Sequence, residues 1–155
     1  MNLTLSPIGT IETPFRTLAE CPSNGRKPQP PPTCRVTLNP EFLPGLDGIE
    51  GFSHLILLYW LDREKPKPEG WKVTPRFDNT PRGVFATRTP NRPNPIGLSV
   101  VALDRILPDG RLQVRYLDCV NGTPLLDLKP YLPSTDSEPG ADMGWLKPHR
   151  TSRPV

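Results

Sequence analysis

The chain has 155 residues, a formal net charge of +3, a pI near 8.9, and 23 prolines with 12 glycines. That length suits one domain able to bury its own core, and so much proline and glycine argues against long helices. Cys21, Cys34 and Cys119 are odd in number and lack CxxC spacing, which argues against a disulfide framework and a zinc site. The start lacks a signal-peptide pattern and the longest apolar run, Leu55 to Leu61, is too short to cross a bilayer. A soluble, cytoplasmic protein is expected, and its basic charge is compatible with nucleic acid without demanding it.

Pro7 to Glu12 alternates weakly and stops at Thr13-Pro14, which predicts an opening strand. From Ala19 to Thr33 the chain reads AECPSNGRKPQPPPT, a loop long enough to be either functional or a mobile excursion. Cys34 to Leu38 alternates as a strand, and Pro40 to Leu43 begins a helical turn. GLDGIEGF carries three glycines at the wrong spacing for a nucleotide loop and reads as a turn. Phe52 to Leu61 is almost uninterruptedly apolar, as expected of a central strand buried on both faces.

A charged loop follows from Asp62 to Trp71, then an irregular stretch to Arg82 and a predicted strand over Gly83 to Thr87. Leu98 to Ile106 is the next strand, with Leu98, Val100 and Ala102 on one face and Val101 and Leu103 on the other. Pro108-Asp-Gly110 turns it into Leu112 to Tyr116 as a hairpin. Asn121-Gly-Thr-Pro124 is another turn, Leu125 to Pro133 a further extended run, and Ser134 to Val155 a polar tail. Many short strands without a long amphipathic helix point to an all-β sandwich or barrel.

The chemistry concentrates in stiff loops. HExxH, Walker and GxSxG patterns are absent, and His54 inside an apolar strand reads as a hydrogen-bonded core residue rather than a metal ligand. ATRTPNRPNPIGLS, from Ala86 to Ser99, joins the donor forks of Arg88 and Arg92 to Asn94, which Pro93 and Pro95 hold rigid. Gln29 among prolines, Asp62-Arg63 at a strand end, and Asp118 to Tyr131 supply further polar groups. Asp127 and Lys129 share a face that Tyr131 continues. Two readings of that trio stand: a substrate-holding, proton-handling group, or a surface ion pair beside a packed tyrosine.

These segments together resemble the TsaA/TrmO-like family of S-adenosylmethionine-dependent methyltransferases. The likeness runs through PIGTIETPF, PQPPP, GLDGIEGFSHLILLYWL, GVFATR, RPNPIGLS and NGTPLLDLKPYLP, in order, over roughly residues 5 to 135. It implies a small non-Rossmann β-barrel with short helical turns and long proline-rich loops. That domain would occupy residues 1–135, with 136–155 a polar C-terminal extension. It also implies a homodimer whose cofactor lies near the subunit interface, and methylation at N6 of threonylcarbamoyladenosine next to a tRNA anticodon. No metal is implied.

By position, the resemblance assigns the cofactor to Gln29, Pro30, Pro31, Pro32, Asp62, Arg63, Arg88, Leu98, Leu117, Asp118 and Cys119. Arg92 joins them on the same loop. Relatives often have histidine where Asp62 stands. Asn94, Asp127, Lys129 and Tyr131 are the candidates to orient the acceptor, receive its proton or hold a carboxylate or phosphate. Lys65, Lys67, Lys72 and the tail arginines would meet tRNA phosphate. A small-molecule acceptor, and a noncatalytic cofactor-binding protein that docks through its prolines, are the competing readings.

Overall fold

Alternation with a period of two sends every second side chain of a strand to the same face, and here that face closes on itself. The computed structural model describes residues 3–65, 67 and 69–149. Its strands are β1 (Gly9–Glu12), β2 (Cys34–Leu38), β3 (His54–Trp60), β4 (Lys72–Val73), β5 (Arg82–Gly83), β6 (Ile96–Ile106), β7 (Leu112–Arg115) and β8 (Thr123–Pro130). Six of them form a closed antiparallel barrel in the order β1-β2-β7-β6-β3-β8, and β4 pairs with β5 in a separate ribbon. Closure leaves the barrel without a free edge.

The interior is filled by Ile11, Val36, Leu55, Leu57, Val101, Leu112, Val114, Leu117 and Leu125, all buried. Each large aliphatic side chain so enclosed contributes about 1.5–3 kcal/mol. The β6–β7 hairpin turns where expected, with Gly110 at φ 82° and the Leu107 amide donating to the Arg111 carbonyl at 2.8 Å.

Antiparallel order around the barrel sorts the connections. β1, β7 and β3 end where β2, β6 and β8 begin, so segments 13–33, 61–95 and 116–122 all gather at one mouth. Toward the opposite end lie 39–53, the hairpin turn, the chain leading into β1 and the chain leaving β8. The long proline-rich loops and most polar residues singled out above therefore share one rim.

Several expectations need correction. β3 alternates between buried and half-buried instead of being enclosed on both faces, because a one-layered barrel covers only its inner side. Leu55, Leu57 and Tyr59 point inward, whereas Ile56, Leu58 and Trp60 form part of an outer stripe. His54 lies half-buried on that outer side, paired with the Ser53 hydroxyl at 2.9 Å, and is not a core residue. Gly83 to Thr87 is not a strand: β5 stops at Gly83 and Val84–Ala86 is a 3₁₀ turn, closed when the Thr87 amide and hydroxyl both donate to the Val84 carbonyl. β6 starts two residues early, at Ile96.

The tail holds more structure than its composition suggests. A short helix spans Pro133–Asp136 and a 3₁₀ turn spans Gly144–His149. That turn packs back on the 75–86 segment: Trp145 stacks on Phe77 with centroids 6.0 Å apart, and its indole N–H donates to the Ala86 carbonyl at 2.8 Å. Arg150 and Arg153, among the expected phosphate contacts, lie outside the described residues.

Candidate functional site

The mouth is organised around a buried polar network. Tyr59 points inward at the last turn of β3, and its hydroxyl meets Ser99 Oγ at 2.9 Å and donates to Asp118 Oδ1 at 3.2 Å. Room for the tyrosine exists because its neighbour across the strand pair is Gly97: a Cβ there would lie 2.1 Å from the ring. Burial pushes the Asp118 carboxyl above its ordinary range, and hydrogen bonds from Tyr59 and the Gly25 amide, with the charge of Arg88, pull it back. Burial likewise raises Tyr59, so its hydroxyl stays protonated and donates.

Asp118 therefore draws together three connections. Gly25, on the long first loop, packs so closely on the Tyr116 carbonyl that a Cβ would lie 2.1 Å from the oxygen. Gly25 thus anchors that loop on the barrel, while most of its other residues are exposed or half-buried. Tyr116 adopts φ 81°, an uncommon conformation for a bulky residue, between the guanidinium of Arg26 at 4.4 Å and that of Arg115 at 5.4 Å from its ring centre. Such strain is held only where surroundings over-determine it.

The other sequence-identified residues fall into distinct places. Asp62 and Arg63 are exposed on the rim, where Arg63 donates to the Asn121 carbonyl at 3.3 Å. Arg88 is exposed and faces Asp118 electrostatically. Gln29 and Pro30 are exposed and joined by a cis peptide bond; Pro31 and Pro32 are half-buried beside them. Leu117 and Cys119 turn their side chains into the core, so only their backbones face outward chemistry. Burial pushes the Cys119 thiol up to about 12 and the Cys34 thiol up to about 11. Arg92 is committed to its own loop, donating to the carbonyls of Val84 at 3.1 Å, Thr87 at 2.9 Å and Thr89 at 3.4 Å.

A second group lies outside the barrel. Register places Leu98, Leu58 and Asp127 in one row across β6, β3 and β8, with Val100, Ile56 and Lys129 in the next. A bulge between Leu58 and Tyr59 keeps Asp127 on the outer side. Asp127 and Lys129 form an exposed ion pair at 2.6 Å. Asn94 stands above this stripe, lining an open groove of about 370 Å³ with Trp60, Pro124 and Leu126. Tyr131 sits at the far end, its amide donating to the His54 carbonyl at 3.0 Å. Roughly 20 Å of strand separates that end of β3 from the mouth, so one protomer does not bring Tyr131 to Asp118.

Sequence reasoning missed Tyr59, Ser99 and Gly25. A readable signal existed for the first: a tyrosine in an otherwise aliphatic inward face needs a partner for its hydroxyl. Among the described residues there is no group of three or more His, Cys, Asp or Glu able to hold a metal, and no helix long and apolar enough to cross a membrane.

Fold and site define a small closed-barrel protein with a buried polar network at one mouth. The chain belongs to the family described as the tRNA-methyltransferase O N-terminal domain, whose model matches residues 10–137. It is 40% identical over 138 residues to a probable S-adenosyl-L-methionine-binding protein of Methanothermobacter thermautotrophicus, covering 88% of this chain and 96% of that one. To the human tRNA (adenine(37)-N6)-methyltransferase it is 33% identical over 171 residues, covering 99% of this chain and 37% of that protein. The solved structure titled "Crystal structure of TrmO" superposes with a TM-score of 0.75 at 35% identity, over 93% of this chain and 64% of that one. The chain thus spans well under half of the human relative and less than two-thirds of the solved TrmO chain.

Proposed function

We propose that this chain binds S-adenosylmethionine at the mouth of its barrel and methylates N6 of an adenosine in tRNA, with threonylcarbamoyladenosine beside the anticodon as the acceptor. The observation that carries the reading is the family match over 10–137, whose span includes the Tyr59–Ser99–Asp118 network and all three loops of the mouth.

The residues present fit such a cofactor. Asp118 offers a carboxylate fixed by Tyr59, suited to a cationic or hydroxyl-bearing group, and the exposed Arg88 offers a guanidinium for a carboxylate. Pro31, Pro32 and the exposed Leu98 add rigid apolar surface for a flat ring. When bound, S-adenosylmethionine supplies an activated methyl group whose transfer leaves a neutral thioether.

The protein's own task is then to position and to manage one proton. Asn94 orients the acceptor N6, Asp127 receives the proton that N6 loses as the new C–N bond forms, and Lys129 and Tyr131 hold the threonyl carboxylate or a phosphate. The outer stripe is the face through which a second copy docks, its exposed Ile96 and Leu98 becoming covered and the acceptor residues of one protomer meeting the mouth of the other. Residues 1–135 form the methyltransferase domain, 136–155 its extension, and a cytoplasmic location follows from a tRNA substrate.

A noncatalytic cofactor-binding protein is the second reading, favoured by one observation: the relative from Methanothermobacter thermautotrophicus, which this chain covers to 96%, is named for binding the cofactor alone. The deciding experiment incubates the protein with methyl-labelled cofactor and tRNA lacking the methyl group, then digests to nucleosides. Labelled N6-methyl-threonylcarbamoyladenosine is expected. Cofactor binding with no labelled nucleoside removes the tRNA reading.

A further inference from the structure

Phe85 presents a contradiction between exposure and restraint. The residue is 76% exposed, the largest fraction for any phenylalanine, tyrosine or tryptophan among the described residues, yet it sits on one of the most heavily tied segments of the mouth. Val84 beside it is buried, and the Val84 amide donates to the Trp71 carbonyl at 2.9 Å. Thr87 closes the turn beneath, Arg92 clamps the carbonyls of Val84 and Thr87, and Trp145 fixes the carbonyl of Ala86 from the tail. Four elements thus hold the backbone while the ring faces water.

Burying a phenylalanine is favourable, and a loop free to move would turn the ring inward. A scaffold that prevents this keeps a flat apolar face on offer. The surroundings say to what. The Arg92 guanidinium lies 5.8 Å from the ring centre, and exposed Arg88, three residues on, faces Asp118. Lys67 is drawn to the same rim because its amide donates to the Asn91 side chain at 2.8 Å. A rigid aromatic face in a field of arginine and lysine matches a partner that is flat, apolar in its faces and anionic in its backbone. That is an unpaired nucleobase in an RNA strand.

We propose that Phe85 is a stacking platform for an unpaired base of the RNA acceptor, next to the nucleotide presented to the mouth. The proposal rests on the tRNA reading above and adds the contact by which a loop of RNA is held open beside the site. It requires a π-face and not mere bulk, since any base can stack on an aromatic ring.

The test compares the wild-type chain with Phe85→Ala, Phe85→Leu and Phe85→Trp. Three readouts are taken: affinity for an anticodon stem-loop with 2-aminopurine beside the target adenosine, affinity for S-adenosylmethionine, and mass in solution. Alanine and leucine are expected to weaken RNA binding by about tenfold or more and to abolish 2-aminopurine quenching, while tryptophan retains both. Cofactor affinity and mass stay as in the wild type. Unchanged RNA binding in the alanine and leucine variants overturns the stacking role while wild-type methylation of tRNA preserves the wider reading. A halved mass in the alanine variant also overturns it, in favour of a contact between copies. Wild-type protein that neither binds nor methylates RNA removes both.

Discussion

The mouth and the outer stripe of β8 use the same kinds of side chain in opposite ways. At the mouth, Asp118 is mostly enclosed, bonded to a tyrosine that is itself buried and packed over a glycine. On the stripe, Asp127 meets Lys129 at 2.6 Å with both side chains largely in solvent. A carboxylate in the first setting is fixed in place at the cost of its hydration. One in the second, half in solvent, is held by the Leu128 amide, which donates to Asp127 Oδ1 at 2.9 Å, and by a screened ion pair with Lys129. The difference teaches that the fold fixes Asp118 through long-range contacts inside the barrel and Asp127 through local contacts on its own strand, in solvent.

The sharpest break is steric. Gly97→Ala places a methyl 2.1 Å from the Tyr59 ring, so the chain should lose about 2–3 kcal/mol in denaturant unfolding, with the mouth network displaced. An alanine variant as stable as the wild type would mean that Tyr59 is not held as described. Removing only the hydroxyl is milder: Tyr59→Phe leaves Ser99 without that contact and deprives Asp118 of a donor, for about 1–2 kcal/mol.

The same variant makes a pH prediction. The Asp118 carboxyl is already raised by burial, and Tyr59 is the largest of the influences that lower it; Arg88 also lowers it, while Cys21 and Cys119 stand nearby as neutral thiols. Without the hydroxyl the carboxyl protonates at higher pH. The acid limb of cofactor binding should then move to higher pH in Tyr59→Phe, and a profile identical to the wild type would exclude Asp118 as the titrating group.

On the exposed side the effects shrink. Lys129→Ala should change stability by less than about 1 kcal/mol, because the pair it breaks is solvated. Smaller still, and local, is the response of the tail clasp. Arg82 and the Thr80 amide and hydroxyl hold the Asp78 carboxyl down at about 2. A lowered folded value means that this contribution is present above the unfolded value of 3.8 and is lost as pH falls from there toward 2. The Trp145 indole N–H resonance, which reports the bond to Ala86, should shift across that window.

Most of the barrel was legible because strands with one buried face declare themselves by alternation: β1, β2, β7 and the Val101–Leu103 face of β6 are where the pattern puts them. β3 was misread as doubly buried because its outward Ile56, Leu58 and Trp60 are as apolar as its inward residues, and hydrophobicity alone does not say what covers a face. The turn at Val84 departs from the strand expected there because Gly-Val-Phe-Ala-Thr has strand composition, while its geometry is decided by side-chain bonds from Thr87 and Arg92, three and eight residues on, to one carbonyl. For the site, local spacing found Asp127 with Lys129 and flagged the Arg88–Asn94 loop. It did not reveal that Arg92 serves that loop, or that Tyr59 and Ser99, 40 residues apart, meet beneath Asp118. Contacts of that range belong to the closed barrel and not to any window of sequence.

The division between a cofactor mouth and an acceptor stripe is tested most directly by measuring cofactor affinity and single-turnover methyl transfer for Asp118→Asn and Asp127→Ala side by side. The account predicts that Asp118→Asn weakens cofactor binding by about tenfold or more, the loss of a charged hydrogen-bonding partner, while Asp127→Ala binds cofactor as the wild type does and transfers its methyl group slowly. Normal cofactor affinity in Asp118→Asn, or full turnover in Asp127→Ala, would contradict it.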